Sequence, residues 1–194
     1  EINAGDTITG LVQEPGSASG AAMTVYTRSK TQILYGSSSA DWTFVMFQAD
    51  SGALPYTVQK VGTSFSLDDR GVNRIGSSQA YGNFNHSVLS RLVSPLLDGK
   101  RFSATCSSVH RLKNQYRVFF DDDTSLVMSI DKDTVLGFTE CDFLRPVRVI
   151  CSIEDTRGEP QTYFGSDDGY IYHLDKGTSF DGENIISFFS TPYY

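Results

Sequence analysis

The residues of this sequence that could do chemistry are its carboxylates, its few histidines and cysteines, and one basic cluster. Acidic runs recur at Asp68-Asp69, Asp121-Asp122-Asp123, Asp131-Lys132-Asp133 and Asp167-Asp168. Several carboxylate oxygens together can hold a hard cation such as calcium, but a dedicated calcium loop alternates its ligands and ends on a glutamate. None of these runs does, so they read as solvated turn carboxylates. His86, His110 and His173 lack the spacing of a helical metal pair, and no G-x-S-x-G elbow anchors a Ser-His-Asp nucleophile. Cys106, Cys141 and Cys151 are odd in number and lack the paired spacing of a zinc site, which predicts buried free thiols in a reducing cytoplasm. The sequence thus assigns no catalytic residue, no metal ligand and no cofactor, and the chain is expected not to be an enzyme. The basic cluster, Arg111, Lys113 and Arg117, interleaves with Tyr116 and Phe119, a mixture that can grip nucleic acid. Sixteen Lys plus Arg against 23 Asp plus Glu give a net charge of −7, which opposes counterion-release binding. The cluster is therefore expected to be a polar face or a subunit contact, without specific nucleic-acid binding.

The elements that must carry these residues are short alternating runs: Ala22 to Arg28, Gln32 to Gly36, Trp42 to Phe47, Gln115 to Phe120, Ser125 to Ile130 and Tyr170 to Leu174. Each is rich in β-branched and aromatic residues and is bounded by Gly, Ser, Asp or Asn, so the chain reads as all-β. In "SLVMSI" the residues Leu126, Met128 and Ile130 alternate with Ser125 and Ser129, the pattern of a half-buried antiparallel strand. One stretch departs from period two. Val88, Leu89, Leu92, Val93, Leu96 and Leu97 recur at helical spacing, predicting one short helix with Ser87 as N-cap and Pro95 as its kink or stop. The 194 residues and 39% hydrophobic content suit one substantial core, and no apolar run approaches the roughly 20 residues of a membrane span. The expectation is a soluble single domain over residues 1–194, a portion of a longer chain because "STPYY" ends in strand-like sequence.

Three hairpins share one form, an apolar strand, an acidic turn and a second strand ending in Ile or Leu: Phe65 to Ile75, Phe119 to Ile130 and Tyr163 to Leu174. Leu34 to Met46 reads as a looser fourth copy. Taking Gly71, Thr124 and Gly169 as equivalent gives intervals of 53 and 45 residues, close to the roughly 40 to 50 of a four-stranded propeller blade. About four such repeats predict a β-propeller or a part of one. Asp68, Asp69, Asp167 and Asp168 are expected to accept backbone N–H groups in the turns, with Gly71, Gly165 and Gly169 as the structural turn glycines. A quinone-dependent propeller enzyme would repeat a docking motif closed by tryptophan in nearly every blade. This chain has a single tryptophan, Trp42, and the Gly165-Ser166-Asp167-Asp168-Gly169 turn is explained by geometry alone.

The runs "FSLDDRGVNRI", "RLKNQYRVFFDDDTSLVMSI" and "YFGSDDGYIYHLDKGTSFDGENI" resemble virion structural proteins of tailed bacteriophages, in particular the tail nozzle or tail tubular protein B-like group. The most specific parts are "KNQYRVFFDD" and "GYIYHLDKGTSFDG". The resemblance implies a propeller-bearing, non-enzymatic subunit of the tail, synthesised in the host cytoplasm and located in the virion. It also implies a homo-oligomeric ring of about six copies with other tail or portal-adaptor proteins as partners. The alternative is a tail-tip propeller that binds a receptor or a carbohydrate. Alone, the chain is expected to be mostly monomeric, its charge adding mutual repulsion.

Overall fold

The computed structural model describes residues 3–17, 20–78, 83–132 and 134–188. The alternating runs become strands that pair in the order in which the chain makes them. β1 (Ile8–Ser17), β2 (Gly20–Thr27), β3 (Thr31–Tyr35) and β4 (Thr43–Gln48) form one antiparallel meander. β5 (Gln59–Val61), β6 (Thr63–Asp68), β7 (Gly71–Ser78) and β8 (Asn83–Val88) form the second. β9 (Ala104–His110), β10 (Gln115–Phe120), β11 (Thr124–Asp131) and β12 (Thr134–Asp142) form the third. The fourth sheet has three strands, β13 (Val149–Glu154), β14 (Pro160–Gly165) and β15 (Ile171–Leu174). A small ribbon follows, β16 (Ser179–Phe180) with β17 (Glu183–Asn184). The described residues are all-β with one short helix, α1 (Ser94–Lys100), and brief 3-10 turns.

The sheets stack face to face, and the first strand of each lies beside the first strand of the next. β5 lies against β9 and β9 against β13. β1 reaches β5 through Lys60, whose ammonium donates to the Gln13 carbonyl and lies 3.7 Å from the Glu14 carboxylate. Apolar side chains fill the layers between sheets. Tyr26, Ala53 and Ile75 meet between the first and second. Phe65, Leu67 and Val72 meet Tyr116, Val118, Leu126 and Met128 between the second and third, where Phe65 stacks on Tyr116 at 5.7 Å. Cys106, Phe119 and Val147 meet Phe164 and Leu174 between the third and fourth. Burial of such area is the main favourable contribution to folding.

This stacking changes the reading of "SLVMSI". Leu126, Met128 and Ile130 enter the core as the alternation requires, but Ser125 on the other face is only 1% exposed. The strand is covered on both faces because another sheet lies beyond it. The helix also differs from its sequence reading. Ser87 pairs with Arg74 in β8, and the helix begins at Ser94 with Pro95 in its first turn. Proline suits that position, because its missing N–H has no helical partner there and its φ is already helical. Leu97 plugs the layer between the second and third sheets, with Leu89, Val93 and Leu96 packed around it. The helical insert precedes β9, which explains why the interval between the first two acidic turns is the longer one.

The acidic turns join the second and third strands of the second, third and fourth sheets. Leu34 to Met46 instead joins the third and fourth strands of the first sheet, so it is not their equivalent. The equivalent turn is Arg28-Ser29-Lys30, which is basic, and its Arg28 supplies a cation to Asp69 of the neighbouring turn at 2.6 Å. Asp68, Asp122 and Asp168 each accept the N–H two residues onward, the local bond that favours Asp in turns. Asp123, at φ 64°, occupies the left-handed conformation that Gly169 holds at φ 83°, so Asp123 and not Thr124 is the counterpart of that glycine. Gly165 is the last residue of β14, paired with Val149 and Ile171, and is a strand end, not a turn residue.

Gly71 and Gly169 both lie at positive φ, 119° and 83°. A Cβ at Gly169 would meet open space, whereas one at Gly71 would overlap the Ser90 hydroxyl, which accepts the Val72 N–H at 2.9 Å. Gly169→Val should therefore cost about 1 kcal/mol through backbone strain alone. Gly71→Val should cost about 2 kcal/mol or more, because the clash also displaces that hydrogen bond. Urea unfolding of the two variants checks the order; equal losses would contradict it.

Candidate functional site

A cleft of about 480 Å³ opens between the third and fourth sheets. Its third-sheet wall carries Gln115, Arg117, Ser125, Val127, Thr139 and Cys141, and its fourth-sheet wall carries Phe164, Tyr172 and Leu174. The β16–β17 ribbon closes one side, with Phe180 edge-on to Phe143 at 5.5 Å. Period two puts the smaller and polar residues of β10 to β12 on this face, opposite to the one that packs on the second sheet.

Arg117 dominates the cleft. Its side chain is 9% exposed, its guanidinium donates to Asp175 Oδ2 at 2.8 Å, and Gln115 Oε1 accepts from it at 2.7 Å. Asp175 sits just past β15 at φ 59° and also meets Lys113 at 3.3 Å and His110 at 3.6 Å. Burial pushes the Asp175 carboxyl up, but the Arg117 hydrogen bond and the Arg117 and Lys113 charges prevail and hold it below the ordinary aspartate range. His110 is shifted down, by burial first and then by Arg117 and Lys113, which outweigh Asp175. Its Nδ1 accepts the Lys113 N–H at 3.3 Å, as a neutral imidazole can.

The basic cluster is thus engaged within the chain, bracing the third sheet to the fourth. Arg111 completes the brace by pairing with Glu154 of β13 at 3.1 Å. The partners of this cluster are acids of the same chain. Asp175 and Glu154 were not singled out by sequence reasoning. Each ends a strand or follows one, as many turn acids do, and only the stacking order brings them opposite Arg117 and Arg111.

The acidic turns take cations while most of their carboxylates stay exposed, as the sequence suggests. Asp122 meets Lys100 at 3.0 Å, and Asp167 meets Arg148 at 2.7 Å. Asp168 accepts the Tyr172 hydroxyl at 2.6 Å and lies 3.1 Å from Arg145. The Tyr172 phenol is pushed up to about 12, chiefly by that hydrogen bond. Among the described residues no group of three or more His, Cys, Asp or Glu side chains could hold a metal ion, and Asp133 lies outside them. His173 is exposed on β15, stacked on Tyr163 at 4.4 Å with its Nε2 2.9 Å from Gln161 Oε1. The backbone of His86 lies in β8. All three cysteines are free, but only Cys106 is buried, where burial pushes its thiol up to about 11; Cys141 is half-buried and Cys151, on the outer strand β13, is exposed. No nucleophile–base pair is assembled among these groups.

The shift at His110 has a pH consequence. Its folded value lies below 6.5, so the unfolded chain binds the proton first, and His110 lowers stability as pH falls through about 6.5. Melting temperatures between pH 8 and 5 should therefore decline less steeply for His110→Asn than for the natural protein. Parallel profiles would contradict this. No family model matches the chain, and no curated protein matches it.

Proposed function

We propose that this chain is a non-enzymatic β-propeller portion of a bacteriophage tail, a subunit of the nozzle or tail-tube ring through which DNA is ejected. The observation that carries the reading is the succession of three four-stranded antiparallel meanders and a three-stranded one, in which β9 lies beside both β5 and β13, each the first strand of its sheet. Radial repetition of such sheets is the propeller plan. The two segments of most specific resemblance to nozzle proteins, Lys113 to Asp122 and Gly169 to Gly182, supply Arg117, Phe119, Asp175 and Phe180 to the contact between the third and fourth sheets. Their residues serve to join sheets, as expected of a structural part. The charge of −7 fits a wall past which DNA slides, since like charge discourages sticking.

In this reading the subunit assembles with copies of itself and with other tail or portal-adaptor proteins, by surfaces additional to the sheet stack. Antibodies against the chain, applied to purified particles and viewed by immunogold electron microscopy, test the location. Label along the tail body supports the reading. Label confined to a distal tip would favour a receptor-binding propeller, and unlabelled, tail-bearing particles in which the epitope is shown to be accessible after disruption would count against a fully exposed tail subunit.

A further inference from the structure

The cleft between the third and fourth sheets has features that the joining of sheets does not require. Its volume of about 480 Å³ lies within the roughly 300 to 1,000 Å³ of small-molecule sites. The fourth-sheet wall is aromatic: Phe164 stacks on Tyr172 at 5.1 Å, and Val127 of β11 lines the facing wall. Along β15 the lining passes from Tyr172, under the Arg145 guanidinium, to Leu174 and then to Asp175 beside Arg117. Four basic side chains line the cleft, Lys113, Arg117, Arg145 and Lys176, against two acidic ones, Asp175 and Asp181. Arg145 is met by Asp181 and by Asp168. Lys113 and Arg117, by contrast, share the single carboxylate of Asp175, and Lys176 follows it in the chain. That end of the cleft is therefore cationic in a chain whose net charge is −7.

The chain's own continuation does not answer this excess. It gives Phe180 and Ile185 to the cleft margin and then leaves it, with Ile186 86% and Phe188 93% exposed. The residues after Phe188 read Phe-Ser-Thr-Pro-Tyr-Tyr and carry no acidic side chain. We propose that the cleft binds a small amphipathic anion, with its acidic head among Lys113, Arg117 and Lys176 and its aromatic or aliphatic body against Phe164, Tyr172 and Val127. An apolar wall with a few placed charges is the usual composition of a ligand site. The sheltered surroundings also strengthen each charge attraction relative to open water. This inference rests on the lining of the cleft and not on the tail assignment.

The probe is 2-naphthoate, with 2-naphthylmethanol as its uncharged counterpart, each titrated into the isotope-labelled full chain and followed by amide chemical shifts. Naphthoate should bind saturably, with a Kd of about 1 mM or tighter, and shift amides of β10, β12 and β15. The alcohol should bind at least about fivefold more weakly, and added salt should weaken only the acid. Lys113→Gln combined with Lys176→Gln, both at exposed positions, should cost naphthoate about fivefold. Thr139→Trp, at an exposed position on the cleft wall, should block both probes, whereas Leu11→Gln, on exposed β1 of the first sheet, should affect neither. No saturable binding, the result if residues 189–194 filled the cleft, would overturn the proposal. So would equal affinity for the two probes, or naphthoate binding unchanged by Thr139→Trp.

Discussion

Replacing Asp175 by alanine should destabilise the protein by about 2 to 3 kcal/mol, because it strands a buried guanidinium. Losing one partner of a buried ion pair typically costs about 3 to 5 kcal/mol, and the 30% exposure of Asp175 places this pair at the low end. Arg117 would keep only Gln115 as its acceptor, while Lys113 and His110 would lose the anion they share. The double variant Arg117→Met with Asp175→Leu should recover much of the loss, since an apolar pair of similar volume removes the desolvation cost of both charges. Urea unfolding of the three proteins measures this. A single variant as stable as the natural chain would show that solvent already screens the pair.

Phe119→Ala should cost about 3 to 5 kcal/mol, the range for emptying an aromatic core position. Phe119 is 1% exposed, lies edge-on to Phe143 at 5.6 Å and shares its layer with Cys106, Val147 and Phe164. Its loss opens a void at the seam of the third and fourth sheets, so the damage should spread. Amide exchange should accelerate in β14 and β15 more than in β2 and β3, which belong to the far end of the stack. Uniform acceleration would show that the four sheets unfold as one unit.

Individual strands were legible in the sequence because period two and β-branched content act locally. "QYRVFF" and "SLVMSI" pair as neighbours, Tyr116 opposite Met128 and Val118 opposite Leu126. What a strand's second face meets is not local. Ser125 and Arg117 look like solvent-facing residues in a half-buried strand, and only the fourth sheet buries them. The helix boundary failed for a related reason. Val88 and Leu89 continue the helical spacing of Val93 and Leu97, but strand pairing with β7 claims residues through Val88 before the helix can start. The turn chemistry was readable where Asp accepts an N–H two residues onward, while the assignment of Asp123 to a left-handed position was hidden by the missing glycine. The ion pairs of the cleft were not readable, because Arg117 and Asp175 lie 58 residues apart and meet only through the order of the sheets.

The most direct test of the tail assignment is a cryo-electron microscopy map of the intact particle at a resolution that separates strands. A tail subunit would appear there as successive sheets with their first strands around a common axis, built into a ring in the tail wall around the DNA channel. The same sheets found only on a distal fibre or spike, or absent from the particle, would contradict it.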